Sequence, residues 1–150
     1  MPQARTNPGR GGTSGASLEE QWRREVRKEL GQDYVEKVLN FDRLDIEQFK
    51  QFNEKVKGFV QNRSKINSTR MRKIYEIIHR ARSPQEFLLN MPRLAYMVGR
   101  EDSFQEKERI GTIFVIFEDC ANNIKTQEDL RSIQRFAEAL VAYHKFYGDK

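Results

Sequence analysis

Residues 67–82 read NSTRMRKIYEIIHRAR. At about 100° per residue, Met71, Ile74, Tyr75 and Ile78 fall on one face of a helix, and Arg72, Lys73, Glu76 and Arg80 fall opposite. Either Asn67 or Ser68 can open this helix, since both side chains accept from free amides in a first turn. The segment is therefore an amphipathic helix with one side that needs a core and another that presents cations. No stretch of the chain alternates apolar and polar residues between turn signals, so no sheet is expected.

Working outward, the same period recurs on both sides. Toward the C-terminus, Ser83-Pro84 stops one helix and starts the next, because proline suits a first turn. Phe87, Leu88, Met91, Leu94, Ala95 and Val98 form the next stripe. Pro92 lies inside it and predicts a kink or a restart, and Gly99 is the expected left-handed stop. Ser103 with Glu106 reads as a capping box. Ile110, Ile113, Phe114, Phe117, Ala121 and Ile124 then give the most regular stripe in the chain. Thr126 with Asp129 opens the last helix, whose face is Leu130, Ile133, Ala137, Leu140, Val141, His144 and Tyr147.

Toward the N-terminus, Asn62 to Asn67 reads as a loop. Asp45 caps a helix carrying Ile46, Phe49, Phe52 or Asn53, Val56, Phe59 and Val60 on its buried stripe. A short helix precedes it with Tyr34, Val35, Val38 and Leu39, and Gly31 ends the one before. That first helix begins at a Ser17–Glu20 capping box and buries Leu18, Trp22 and Val26. Residues 1–16, rich in Gly, Pro, Thr and Ser, have nothing to bury and read as a disordered tail. The expected fold is thus all-α: a single bundle of about five to seven helices over residues 17–150 behind that tail.

The chain has 150 residues, 27 Lys or Arg against 22 Asp or Glu, and a net charge of +5. Residues 55–82 hold nine cations (Lys55, Lys57, Arg63, Lys65, Arg70, Arg72, Lys73, Arg80, Arg82) and one acid, Glu76. That stretch carries +8 and the remainder −3, so the charge marks one electropositive region. A single cysteine, Cys120, forms no internal disulfide, which fits a reducing, cytoplasmic setting. No secretory or membrane-spanning segment is legible.

Candidate chemistry is sparse. His79 and His144 are the only histidines, and no Cys/His cluster has metal-ligand spacing. No glycine-rich phosphate loop precedes a helix. Glu118-Asp119 and Glu128-Asp129 are adjacent pairs that diverge on a helix and read as solvent faces. Arg72 and His79 stand seven apart on one helix, a spacing that resembles the Arg-to-His pairs of the HEPN helical ribonucleases. Lys73 departs from that pattern, and His79 reads better as a helix-boundary residue. Tyr75, Tyr96, Tyr143, Phe146 and Tyr147 lie near the cations in sequence, and core packing is the expected place for each.

Three ordered runs carry a more specific resemblance. Arg135-Phe-Ala-Glu-Ala-Leu-Val-Ala-Tyr-His-Lys-Phe-Tyr-Gly148 resembles the last helix of the small subunit of the type III-A CRISPR–Cas (Csm) effector complex. Ile66-Asn-Ser-Thr-Arg-Met-Arg-Lys-Ile74 resembles that family's helix start, and Pro92-Arg-Leu-Ala-Tyr-Met-Val-Gly-Arg100 its central segment. The likeness spans about residues 63–148. It implies a helical, non-catalytic subunit that stacks in several copies along the crRNA-bound filament and helps hold target RNA in antiviral defence. The implied partners are crRNA and target RNA, the backbone and large subunits, and neighbouring copies, with no cofactor, metal, membrane or small-molecule substrate.

Residue by residue, Arg72, Arg93, Arg100 and Lys145 take the family's basic positions. Arg70 and Lys73 join them on local geometry. Asn67-Ser68 stands where the family has Thr-Thr, and Asp149 where a small residue is common. Amide groups at helix starts near Ser68, Pro84 and Pro92 are expected to add phosphate contacts. Part of the Phe114 and Phe117 stripe, or of the Tyr143 helix, is expected to meet neighbouring copies.

Overall fold

A computed structural model describes residues 15–148. They form seven α-helices: α1 Gly15–Leu30, α2 Tyr34–Leu39, α3 Ile46–Gln61, α4 Ser68–His79, α5 Pro84–Gly99, α6 Phe104–Ala121 and α7 Gln127–Tyr147. A 3-10 turn, Phe41–Arg43, joins α2 to α3. No strand occurs among the described residues, as the sequence period requires. The tail expected over residues 1–16 lies outside them, except that Gly15 and Ala16 already belong to α1. Ser17 therefore falls inside the first turn rather than ahead of it.

Local signals set most of the boundaries. Gly31, at φ +107°, turns the chain left-handed after α1. Asp45 accepts from the Gln48 amide at 2.8 Å, and Ser83 from that of Glu86 at 3.1 Å. Thr126 and Asp129 complete a reciprocal capping box at the start of α7. At α6 only half the expected box forms. Ser103 accepts from the Glu106 amide, while the Glu106 carboxylate pairs with Arg109 at 2.8 Å.

Two expectations on α5 are corrected. The helix does not restart at Pro92 but continues through it, and Pro92 lies on the exposed side, where water can satisfy the carbonyl left without an amide partner. Gly99 remains helical, and the helix closes on Arg100 at φ −86°, so no left-handed stop is used. The stripe also differs by a register step. Met97 is buried, whereas Leu88 and Ala95 face outward.

The core is organised around α6 and α7. Every residue from Ile110 to Phe117 is buried, so this part of α6 is enclosed on all sides rather than along one stripe. Phe114 and Phe117 thus belong to the core and offer nothing to neighbouring copies. α1, α2 and α5 cover α6. Gly111 permits this closeness, since a Cβ there would lie 2.6 Å from the Trp22 ring of α1. α7 packs on α2, the 3-10 turn, α3 and α4. Its Phe136, which the sequence stripe left out, is fully buried. The Phe136 ring centroid lies 5.6 Å from that of Phe41 and 6.0 Å from that of Phe117. Truncating such a residue to alanine costs about 3–5 kcal/mol.

Polar groups tie the layers together. Asp119, expected on a solvent face, instead accepts from Arg23 at 2.8 Å and from the Tyr34 hydroxyl, joining α1 and α2 to α6. Burial and that carboxylate push the Tyr34 phenol up. Ile46 goes the other way: expected on the buried stripe, it is 74% exposed at the start of α3. No helix among the described residues is long and apolar enough to cross a membrane.

Candidate nucleic-acid interface

The basic helix α4 starts where Asn67 accepts from the amides of Thr69 and Arg70 at 2.7 and 3.2 Å. Met71, Ile74 and Ile78 seat it against α5 and α7. Arg72 and Lys73 point outward. Because they are adjacent on a helix, they diverge by about 100° and enter different grooves.

The first groove lies between α4 and α5. Lys73, Arg80, Arg93 and Arg100 line it, with Glu76 as the one acid. Its apolar part is Ile77, Pro92, Met97 and Tyr96, and its volume is about 510 Å³. A second hollow continues from it toward the start of α4. The two share Lys73, Met97 and Arg100, and the second adds Asn67, Thr69, Arg70 and Glu101. The track follows α4 from Asn67 to Arg80, about 20 Å at 1.5 Å per residue.

The other groove lies between α4 and α7 and holds Arg72 and Lys145, with Ser68, Tyr75, Glu76 and His144. The six basic residues predicted from sequence are therefore brought to one helix but not to one site. Lys73, Arg93 and Arg100 share the α4/α5 track, and Arg72 and Lys145 share the α4/α7 groove. Arg70 borders the track but is engaged, its Nε 2.5 Å from the buried Glu101 carboxylate. Lys73, Arg72, Arg93, Arg100 and Lys145 have no ion pair among the described residues.

The nine cations of the +8 stretch separate further. Arg63 is only 6% exposed and lies wholly inside the fold. Its Nη1 and Nη2 donate to Glu29 at 2.9 and 2.8 Å, its Nε to Thr112 at 2.7 Å, and its plane covers the Phe59 ring at 3.7 Å. Burial alone would raise the Glu29 carboxyl, but the Arg63 hydrogen bonds and charge outweigh it and hold it below its ordinary value. Lys57 pairs with Glu54 at 3.1 Å. Arg80 reaches Glu76 only at 4.0 Å and stays exposed.

Two residues that line the α4/α5 groove, Arg80 and Tyr96, were not among the six basic positions. Arg80 follows Lys73 by seven residues, two turns on the same side. Tyr96 lies three after Arg93 and four before Arg100, hence on one face of α5. Expected in the core, it is 67% exposed, and Phe146 is 79% exposed. Tyr75, Tyr143 and Tyr147 are half-buried.

Of the amides expected to meet phosphate, Asn67 accepts from those of Thr69 and Arg70 at the start of α4, Ser83 from that of Glu86 at the start of α5, and Pro92 is not a helix start. Asp149 lies outside the described residues. His79 ends α4 with its ring stacked on Tyr75 at 5.1 Å, while Arg72 lines the α4/α7 groove, which His79 does not. His144 is buried and bonded through Nε2 to the Ile66 carbonyl at 2.7 Å. Among the described residues, no group of three or more His, Cys, Asp or Glu is placed to hold a metal ion.

The family model described as Csm2 Type III-A matches residues 43–150, from the 3-10 turn through α7. All three sequence motifs fall within the match. No curated protein and no solved structure matches the chain.

Proposed function

The chain belongs to the type III-A Csm2 family, structural small subunits of the Csm complex, and from that premise we propose that it is a non-catalytic RNA-binding subunit that holds target RNA by its backbone. The observation that carries this reading is the α4/α5 track. Lys73, Arg93 and Arg100 converge there from two helices, exposed and free of ion pairs among the described residues, with Glu76 and Glu101 the only acids along its length. Such cations neutralise phosphates and release counterions, a contribution blind to base sequence. Blindness suits a subunit that must accept any target selected by guide pairing.

In this reading copies of the chain stack in the cytoplasm beside the crRNA-bound backbone subunits, next to the large subunit. Arg72 and Lys145 form a second, smaller anionic contact on the opposite flank of α4. The chain contributes grip and spacing, and the chemistry belongs to other subunits. Residues 15–148 act as one helical unit.

The test is target-RNA binding by assembled complexes carrying Arg72→Ala, Arg93→Ala or Arg100→Ala. Each is expected to weaken binding for every target sequence and to lower the salt slope by about 0.7 for every phosphate no longer neutralised. Complexes that carry all three changes and retain RNA as before would sink the proposal. RNA cleavage by the isolated chain, abolished in His79→Ala, would replace it with the HEPN-like reading.

A further inference from the structure

The α4/α5 track holds more than phosphate binding requires. A surface that only neutralises a backbone needs cations and water; the α4/α7 groove sets Arg72 and Lys145 beside Val141, Ala142 and the half-buried ring of Tyr75. The α4/α5 groove adds an apolar floor of Ile77, Pro92 and Met97 and an aromatic ring raised into solvent. Tyr96 is 67% exposed on a helix whose other large exposed residues, Leu88 and Leu89, lie a turn or more away. Leaving that ring uncovered forfeits the burial that an aromatic side chain normally contributes. Its surroundings are cationic: Arg93 on α5 and Arg100 at its C-terminal end flank it, Lys73 on α4 and Arg80 at the end of α4 line the other side, and the Arg100 guanidinium is 5.8 Å from its centroid.

An aromatic face set among convergent cations is the arrangement by which proteins take single strands, with bases stacking on rings while the backbone runs along the charges. An intact duplex offers no base face to such a ring. A hollow of about 510 Å³ is in the size range of small-ligand pockets. We propose that the α4/α5 groove is a subsite for one unstacked base of single-stranded nucleic acid, lodged against Tyr96, with the adjoining phosphates on Lys73, Arg93 and Arg100. This rests on the RNA-holding reading and adds that the chain senses a base face, of any identity, as well as the backbone. An acidic peptide would suit the cations but leave the ring and floor unexplained. A second copy docking through this same groove would bring like charge against it.

The test uses full-length chain assembled in its complex, with two RNAs of equal length and charge and the same guide-complementary stretch, one intact and one with abasic positions only at the nucleotides that the guide leaves unpaired. Tyr96→Ala is expected to lower affinity for intact single-stranded RNA by about tenfold, within the range a stacked base contributes, while leaving the salt slope unchanged. Tyr96→Phe is expected to bind like wild type, since the ring and not the hydroxyl is used. The abasic RNA should bind wild type and Tyr96→Ala alike. The inference is overturned if Tyr96→Ala binds intact RNA normally while Arg93→Ala and Arg100→Ala weaken it, an outcome that leaves the backbone-holding reading in place. A Tyr96→Ala variant whose salt slope falls would make the ring a support for Arg100, against the proposal. Loss of subunits from the Tyr96→Ala complex would assign the face to a protein contact and overturn it equally. If neither the ring nor the cation variants affect binding, the parent reading falls first.

Discussion

Arg63 and Arg93 are both arginines in a strongly basic chain, yet they belong to physically opposite regions. Around Arg63, α1, α3 and α6 converge and all three nitrogens donate: the guanidinium serves Glu29, Thr112 and the Phe59 carbonyl. Around Arg93, α4 and α5 border a groove whose cations are exposed. The first region uses charge to hold helices together. The second leaves Lys73, Arg93 and Arg100 clustered without ion pairs among the described residues, beside the single acid Glu76. Net positive charge in a sequence stretch therefore overstates its binding surface, because part of it is internal wiring.

The largest expected effect breaks the interior side of this contrast. Arg63→Ala leaves the half-buried Glu29 carboxylate without its main partner, with only Asn62 still donating to it, and should cost about 1–3 kcal/mol, read as a lowered urea midpoint. RNA affinity of the protein that remains folded should not change. Replacing both partners, Arg63→Met with Glu29→Leu, should restore most of that stability, because two apolar groups need no pairing. Weaker RNA binding at normal stability would place Arg63 with the surface group.

The groove side predicts the reverse pattern. Lys73→Ala, Arg93→Ala and Arg100→Ala together should leave thermal stability within about 0.5 kcal/mol per change. The salt slope of RNA binding should fall by about 2, the sum for three phosphates. A large fall in melting temperature would show these residues to be part of the framework.

Acid should separate the regions more gently. The Glu29 carboxyl is held below its ordinary value by Arg63. A group depressed on folding gives its full stabilisation above its unfolded value, and that is lost as pH falls through the folded value. Stability should therefore decline below about pH 4.5, the ordinary glutamate value. In Glu29→Gln that portion of the decline should disappear from urea midpoints measured across the acid range. The smallest effect concerns the border. Glu101→Gln removes the charge that occupies Arg70, and RNA affinity should rise about two- to fivefold, the scale of a partly exposed ion pair. Unchanged affinity would show that Arg70 lies off the RNA path.

Much of the fold was legible because helices are specified locally. Period and caps are short-range properties, and Asp45, Asn67, Ser83 and Thr126 each open a helix where the sequence places one. Expectations failed where the outcome depended on a distant element. Pro92 was tolerated because its side of α5 faces water. Asp119 turned inward because Arg23 and Tyr34 were waiting there.

Residue order alone dictates that this protein is helical, where its helices begin, which three motifs place it in its family, and that positive charge gathers on one stretch. Which charges remain outside is a matter of tertiary packing. Arg63 lies 34 residues from Glu29 and 49 from Thr112 in the chain, so no local pattern announces its burial. In the same way Lys73, Arg93 and Arg100 become one track, apart from Arg72 and Lys145, only because α4 has α5 on one flank and α7 on the other. A helical period fixes the direction a side chain takes from its own axis, whereas the neighbour it meets is set by how the axes pack.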